Sequence, residues 1–256
     1  MTDLLVEQDG PVLRVTFNRP QAHNALTFAM YEGVHDACEK ADADPDIRVL
    51  VLRGAGGKSF VSGTDIAQFA GFDGAAGVAY EERMTRVLRR LEDTAVPTVA
   101  AVDGYCVGGG LALAATCDLR IATTAARFGV PIARTLGNCL SMDTCALLMA
   151  HLGRSRALDM LLRARLLDAA EAHAAGFVTQ LVDDSAALDA ALAETVATLA
   201  SHAPLSMWAT KQTVARLRRA GLPEGDDIVA RVYGSADFAS AVAAFARKER
   251  ATWTGA

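Results

Sequence analysis

The sequence has few of the residues that bind metals. It contains five histidines and five cysteines in 256 residues, and none of the histidines is paired with a cysteine or a second histidine at metal-ligand spacing. We therefore expect no bound metal. The cysteines lie among apolar neighbours and are expected to be buried, reduced thiols of a cytoplasmic protein. They are Cys38, Cys106, Cys117, Cys139 and Cys145.

Long hydrophobic runs and an excess of positive charge are also missing. The most apolar stretch, residues 104–117, is shorter than the roughly 20 residues that a membrane-spanning helix needs. The amino terminus, Met1-Thr2-Asp3, lacks the basic and then apolar pattern of a signal peptide. With 25 basic and 30 acidic residues, the chain has a net charge of −5. These features argue against a membrane or nucleic-acid partner.

What the sequence does have is the pattern of an α/β domain. Only 6% of its residues are aromatic, but 52% are hydrophobic, which excludes intrinsic disorder. A hairpin is predicted over residues 4–17, and strands over 47–52, 97–102 and 118–122 alternate with helices over 27–40 and 80–93. Residues 71–77 are predicted to form a mobile loop. Everything after about residue 141 is predicted to be helical, with helices over 141–151, 155–163, 168–175, 186–200, 205–219, 224–233 and 238–250.

Two loops carry the residues that suggest chemistry. One is Ser62-Gly63-Thr64-Asp65-Ile66, and the other is the glycine-rich segment 103–112, which leads from a strand into a helix. Unpaired N–H groups at a helix start favour negative charge and could hold an oxyanion. The glycines could equally serve only to pack strand against helix, and the triplet Gly108–Gly110 alone does not decide between the two.

The order and spacing of these motifs resemble the crotonase family, also called the enoyl-CoA hydratase/isomerase family. The resemblance covers nearly the whole chain, and no single motif is decisive. It rests on residues 18–20 and 24–26, the two loops at 60–66 and 101–110, and the later segments 117–122, 128–131, 169–178 and 244–250.

This resemblance implies an α/β fold of the ClpP/crotonase type: a spiral of ββα units over residues 1–195 and a helical oligomerisation region over 196–256. It implies an acyl-CoA thioester substrate, no cofactor beyond coenzyme A itself, and a homotrimer or dimer of trimers. The backbone N–H groups of Thr64 and Gly109 would form an oxyanion hole. The residues implied to contact coenzyme A are Gln21, Ala22, His23, Ser62, Asp65, Ile66 and Lys248, although His23 and Lys248 could equally be ordinary surface residues.

The sequence departs from the family where its hydratases carry two glutamates. Those positions hold Ala112 and Ile132, which cannot transfer protons, so we expect ordinary hydratase activity to be weak. Asp143 is a candidate replacement acid or base, but we favour its interpretation as a carboxylate that complements the dipole at a helix start. Cys139 is interpreted as a core residue rather than a nucleophile. The acids Asp73, Glu81 and Glu82 could reach the acyl group, but a solvated charged face explains them more simply.

Several functions therefore stay open. The first is a lyase or isomerase acting on an enoyl-CoA. The second is a hydrolase, dehalogenase or decarboxylase of the same fold, because each of these reactions passes through a thioester oxyanion. The third is a non-catalytic acyl-CoA-binding homologue, which the residues Ala112 and Ile132 suggest. The acyl group cannot be deduced from the sequence.

Overall fold

Two β-sheets organise the chain, and successive turns of the backbone add one strand to each. The computed structural model describes residues 2–254. The larger sheet has six strands, in the spatial order β1 (Leu4–Asp9), β2 (Val12–Phe17), β3 (Val49–Gly54), β5 (Thr98–Val102), β7 (Leu119–Thr123) and β10 (Gln180–Val182). The smaller has four, in the order β4 (Ser59–Val61), β6 (Tyr105–Val107), β8 (Arg127–Gly129) and β9 (Leu167–Asp168).

Most neighbouring strands are parallel, and only the pairs β1–β2 and β8–β9 are antiparallel. Parallel neighbours need crossover connections, which are largely helical here. The ten helices of the described chain are α1 (Phe28–Ala43), α2 (Gly74–Asp93), α3 (Gly109–Thr116), α4 (Ile132–Thr135), α5 (Met142–Leu162), α6 (Ala169–Ala174), α7 (Ser185–Ser201), α8 (Pro204–Arg219), α9 (Asp226–Tyr233) and α10 (Ala236–Ala246). The units β3-β4-α2 and β5-β6-α3 repeat one ββα pattern, so the predicted spiral α/β fold is confirmed.

The larger sheet is covered on both faces, as its apolar strands predict. Along β3, Leu50 and Leu52 face the main core, whereas Val49 and Val51 face the opposite side. That opposite side packs against α7 through buried side chains such as Leu188. The predicted boundary between core and helical tail, after residue 195, lies inside α7. This helix packs on the larger sheet, so the boundary does not separate two structural units. The oligomerisation role of the tail stays a prediction.

Three expectations about local structure need correction. The helix predicted from Tyr80 begins at Gly74, so much of the expected loop 71–77 is helical. The region after residue 141 is not wholly helical, because it contains β9, a strand of the smaller sheet, and β10, a strand of the larger sheet. The helices predicted on either side of Gly153 form one element, α5, with a break at that glycine, whose backbone (φ 72°, ψ 155°) is not helical. The break itself is where the sequence placed it.

Within residues 2–254, no single helix is both long and apolar enough to cross a membrane; the bent pair α9 and α10 meets the length and composition test only when both helices are taken together.

Candidate functional site

The two loops singled out from the sequence lie side by side. Thr64 follows β4 and Gly109 follows β6, and these strands are parallel neighbours in the smaller sheet. Because the carboxyl ends of parallel strands meet at one edge of a sheet, the two loops open on the same space. A Cβ atom placed on Gly109 would lie 3.4 Å from Oγ1 of Thr64. The structure therefore brings the two residues together.

Each glycine of the triplet serves a different steric need. Gly108 has φ 56° and ψ −124°, a conformation that side chains disfavour. A Cβ on Gly109 would lie 2.1 Å from Oη of Tyr31, and a Cβ on Gly110 would lie 2.4 Å from the carbonyl oxygen of Val61. Tight packing of α3 on β4 is thus a real function of the triplet, and it coexists with the geometry of an anion site.

The backbone N–H groups of Thr64 and Gly109 have no acceptor among the described residues. Thr64 is flanked by backbone hydrogen bonds on both sides: Leu26 donates to the carbonyl of Gly63, and Asp65 donates to the carbonyl of Leu26. Gly109 is the first residue of α3, and a first-turn N–H has no partner within its helix. Two unpaired donors therefore lie at the edge of one cavity.

This cavity has a volume of about 200 Å³. Its wall is mostly apolar and includes Ala112 and Ile132, the two positions where family hydratases carry acids. Glu81 is the one charged side chain that lines it among the residues described. Ile66, Tyr31, Tyr80, Asn138 and Phe245 also line it.

Two tyrosines bind the side chain of Thr64. Its Oγ1 is 2.8 Å from Oη of Tyr31 and 2.8 Å from Oη of Tyr80. Burial raises the pKa of Tyr31 to about 12 and the pKa of Tyr80 well above its ordinary value. Both phenols are therefore neutral near pH 7, and they fix Thr64 without adding charge to the cavity.

The environment of Glu81 differs from the predicted solvated face. Its side chain is buried, with only 7% of the residue exposed. Oε1 accepts a hydrogen bond from Oη of Tyr233 at 2.9 Å, and Oε2 accepts one from the backbone N–H of Ser141 at 2.9 Å. Burial raises its pKa to about 7, although both hydrogen bonds oppose the rise. The interpretation of Glu81 as a surface residue was wrong, whereas Glu82 is exposed as expected.

A signal for Glu81 is present in the sequence. The buried residues of α2 follow the helical repeat, with Gly77, Tyr80, Met84, Leu88 and Leu91 on one stripe. Glu81 lies on this stripe, where a carboxylate is out of place. Its partner Tyr233 is 152 positions away, and no local pattern identifies it.

Asp143, the candidate acid of the sequence, lies elsewhere. Its carboxylate accepts hydrogen bonds from Nε of Arg89 at 2.7 Å and from Nη1 of Arg218. Burial disfavours its charge, but the two arginines outweigh burial and lower its pKa. Asp143 does not line the cavity beside Thr64, and it contacts a neighbouring groove instead. This geometry favours the structural interpretation of Asp143.

One segment expected along coenzyme A is adjacent to Ser62, which lines the cavity. Gln21, Ala22 and His23 form a 3₁₀ turn and its end, and the carbonyl of His23 accepts a hydrogen bond from the N–H of Ser62 at 3.1 Å. The two segments are therefore adjacent.

The other expected coenzyme A contacts are less uniform. Ile66 lines the cavity, but the carboxylate of Asp65 is bound to Arg19 at 3.1 Å and caps the turn Ile66–Phe69. Lys248 is exposed, and its backbone N–H donates a hydrogen bond to the backbone carbonyl of Phe245, a residue that lines the cavity. These roles stay predictions.

Other groups near the site offer less chemistry. Burial raises the pKa of Cys139 to about 12, so its thiol is a poor nucleophile near pH 7. Within residues 2–254, no three His, Cys, Asp or Glu side chains cluster as a metal ion would require.

A larger cavity of about 700 Å³ lies between α5, α7 and α8. Its charged groups are committed to ion pairs, as Lys211 is to Asp118 and Arg218 is to Glu92.

Comparison with known proteins agrees with this geometry. The family model described as enoyl-CoA hydratase/isomerase matches residues 7–256. A probable enoyl-CoA hydratase of Mycobacterium bovis is 34% identical over 98% of this chain and 97% of its own. The (E)-benzylidenesuccinyl-CoA hydratase of Thauera aromatica is 38% identical over 81% of this chain and 80% of its own.

A solved structure gives the same result for the fold. An enoyl-CoA hydratase/carnithine racemase from Magnetospirillum magneticum superposes with a TM-score of 0.81 at 35% identity, covering 100% of this chain and 97% of the other. The resemblance predicted from the motifs is confirmed: the chain belongs to the enoyl-CoA hydratase/isomerase family.

Proposed function

We propose that the protein is an enzyme that binds an acyl-CoA thioester in the 200 Å³ cavity and stabilises its enolate as a lyase or isomerase. The observation that carries this proposal is the pair of unpaired N–H groups of Thr64 and Gly109. An enolate oxygen between them would accept two hydrogen bonds from donors that are already in place, so little reorganisation is needed when the charge develops. The first turn of α3 adds a favourable dipole.

The acyl group would lie among the apolar residues of the cavity, and the coenzyme A part of the same ligand would extend out through the opening of the cavity. Gln21, Ala22 and His23 would follow the coenzyme A chain, with Ser62 and Ile66 nearer its adenine, and Asp65 would also contact coenzyme A. Lys248 would meet a phosphate. The names of the relatives, which include hydratases of enoyl-CoA and of an aryl-substituted acyl-CoA, support a CoA ester but do not identify the acyl group.

We further propose that ordinary hydratase activity is weak. Water addition requires a base to activate water and an acid to protonate C2, and each such group contributes about 10²–10⁴-fold. Ala112 and Ile132 supply neither. The same two residues favour, as a second candidate, a homologue that binds acyl-CoA without catalysis.

The remaining expectations belong to this proposal as well. The protein would act in the cytoplasm as a homotrimer or dimer of trimers, with coenzyme A as part of the substrate and no other cofactor or metal. No membrane or nucleic acid would be involved.

Calorimetry with two matched ligands tests the oxyanion hole. Butyryl-CoA carries a thioester carbonyl, whereas S-butyl-CoA has the same chain without the oxygen. We expect the thioester to bind about tenfold more tightly, because two hydrogen bonds with a net value of about 0.7 kcal/mol each contribute about 1.4 kcal/mol together. Equal affinities would contradict the proposed hole, and no binding of either would contradict an acyl-CoA function.

A further inference from the structure

Glu81 occupies an unusual position for a buried carboxylate. It lines the cavity that also contains Ala112 and Ile132, and no other described residue with a charged side chain does so. The preceding residue, Tyr80, binds Oγ1 of Thr64 at 2.8 Å. One helix, α2, thus contacts the predicted oxyanion segment and carries a glutamate that lines the same cavity.

The partners of Glu81 are neutral. Its oxygens accept from Tyr233 and from the N–H of Ser141, and no lysine or arginine in residues 2–254 forms an ion pair with it. Asp143, by contrast, is fixed in its ionised form by two arginines. A buried carboxylate that serves only the fold is usually paired with a cation, since an unpaired charge is costly to bury. Glu81 lacks that pairing, so both of its protonation states are accessible.

Asn138 allows the hydrogen-bond network to hold either state. Its Nδ2 donates to Oη of Tyr233 at 3.1 Å, and Tyr233 in turn donates to Glu81. The Oδ1 of Asn138 is buried without a partner among the described residues. If Glu81 were protonated and donated to Tyr233, rotation of the Asn138 amide would offer this oxygen to the tyrosine hydroxyl. Each carboxylate oxygen also keeps a second lone pair for another contact.

We propose that Glu81 is the catalytic acid–base residue of this chain and moves the proton at C2 of an acyl-CoA bound in the cavity. This inference rests on the proposed function. In the step, Glu81 takes the proton from C2, and the C–H electron pair becomes the C1–C2 double bond of the enolate. The carbonyl π pair moves to the thioester oxygen beside Thr64 and Gly109. For a 3-enoyl-CoA, return of the proton from Glu81 to C4 moves the double bond to C2–C3, and no other reactant is needed.

Burial supports this role, because a pKa of about 7 lets Glu81 accept and return a proton near neutral pH. The titratable groups that face it are Tyr31 on α1, Tyr80 on its own helix, Cys139 before α5, Cys145 on α5 and Tyr233 on α9. Burial raises the pKa of every one of them. Glu81 also lines the adjoining groove, whose charged residues are Glu82, Arg86, Arg89, Asp143, Arg219, Glu224 and Asp226.

The test follows two reactions in the full-length protein. But-3-enoyl-CoA reports isomerisation to crotonyl-CoA by absorbance, and butyryl-CoA in D₂O reports exchange at C2 by NMR. We expect Glu81→Gln to lower both rates about 10²–10⁴-fold while binding of butyryl-CoA, measured by calorimetry, changes little. Glu82→Gln is the matched control, because Glu82 is the next residue on α2 and is exposed; its rates should equal those of the unmodified protein.

The outcomes separate this inference from the proposal on which it rests. If the unmodified protein binds butyryl-CoA but neither probe reacts, or if Glu81→Gln keeps both rates, Glu81 is not the acid–base residue, although an acyl-CoA site remains. If no CoA ester binds, the proposed function itself falls, and this inference falls with it.

A pH profile provides a second readout that a purely structural role would not move. The isomerisation rate should rise with pH as Glu81 ionises, with a midpoint near 7. Tyr233→Phe removes a hydrogen bond that stabilises the ionised form, so the midpoint should move to higher pH. An unmoved midpoint in a folded Tyr233→Phe variant would overturn the assignment, even if Glu81→Gln failed to fold.

Discussion

At the scale of single residues, two buried acids have opposite environments. Glu81 is surrounded by neutral donors, and burial raises its pKa to about 7. Asp143 is bound by Arg89 and Arg218, which lower its pKa against the effect of burial. The sequence could not distinguish them, because the partners that decide the difference lie far along the chain. Asp143 looked nearer to the catalytic motifs, yet Glu81 lines the cavity.

The raised pKa of Glu81 predicts how stability depends on pH. Folding raises this pKa from 4.5 to about 7, so the folded state keeps a proton that the unfolded state has lost. The stabilising contribution is therefore complete below pH 4.5 and is lost as pH rises to about 7. Glu81→Gln removes this loss. Its free energy of unfolding relative to the unmodified protein should increase across that window, by on the order of 3 kcal/mol.

Urea unfolding at a series of pH values measures this difference, and Glu82→Gln is again the control. A difference between Glu81→Gln and the unmodified protein that stays constant from pH 4.5 to 8 would contradict the raised pKa.

Asp143 gives a prediction of the opposite sign. Asp143→Asn leaves Arg89 and Arg218 without their shared carboxylate, and we expect a loss of about 1–3 kcal/mol in the free energy of unfolding at pH 7. Because folding lowers the pKa of Asp143, its contribution is present above the ordinary value of 3.8 and disappears as pH falls through the lower folded value. Chemical unfolding should therefore show a smaller difference in the free energy of unfolding between Asp143→Asn and the unmodified protein at pH 3 than at pH 7. An equal loss at both pH values would contradict the ion pairs as the cause of the loss.

At the scale of elements, two glycines led to a wrong prediction of a loop. The glycines at 74 and 77 suggested a loop, but both lie in α2 and allow α9 to approach it. A Cβ on Gly74 would lie 2.4 Å from the carbonyl oxygen of Ala230, and one on Gly77 would lie 2.2 Å from Cβ of Tyr233. Tertiary contact between the two helices therefore overrides local propensity. Since Tyr233 is a partner of Glu81, these glycines also shape the candidate site.

Gly77→Ala tests this packing. The added methyl group must push α9 away from α2, so we expect a loss of about 1–3 kcal/mol in stability, despite the better helix propensity of alanine. Gly33→Ala in α1 is the matched control, since its Cβ would meet only the flexible end of the Leu4 side chain, at 2.4 Å. Thermal unfolding should show a clear drop for Gly77→Ala alone. Equal behaviour of the two variants would refute the close approach of α9.

Local signals account for what the sequence did predict. The hairpin, the alternation of strands and helices, and the loops of Thr64 and Gly109 follow from apolar periodicity and turn residues, which act over a few positions. The proximity of those loops follows in turn from the parallel pairing of the strands before them. The part of the candidate site that contains Thr64 and Gly109 was therefore predictable, whereas the part that contains Glu81 was not. The strands β9 and β10 were missed because they are short and owe their structure to sheet partners far along the chain. The Glu81–Tyr233 contact was missed for the same reason.

At the scale of the whole molecule, the helical tail leaves apolar side chains uncovered. On α8, Leu205 is 76% exposed and Leu217 is 72% exposed. Large exposed apolar patches in soluble proteins commonly mark interfaces. This agrees with the expected homotrimer or dimer of trimers, which stays a prediction.

Light scattering after size exclusion tests the assembly. We expect a mass of three or six chains for the unmodified protein and a smaller species for Leu217→Glu, because a buried charge at an interface is strongly unfavourable. Val6→Glu is the control and should keep the mass of the unmodified protein, since Val6 is 39% exposed on β1, an edge strand of the larger sheet, and not on α8. A monomeric unmodified protein, or an unchanged mass for Leu217→Glu, would contradict a role of α8 in assembly.

The central claim is that one cavity holds the thioester between Thr64 and Gly109 and presents its C2 atom to Glu81. The most direct measurement is a crystal structure of the unmodified protein with bound butyryl-CoA. The account predicts the carbonyl oxygen about 3 Å from both backbone nitrogens, and C2 within about 3–4 Å of the Glu81 carboxylate. An acyl group in the larger cavity beside α8, or C2 nearer to Asp143 than to Glu81, would contradict it.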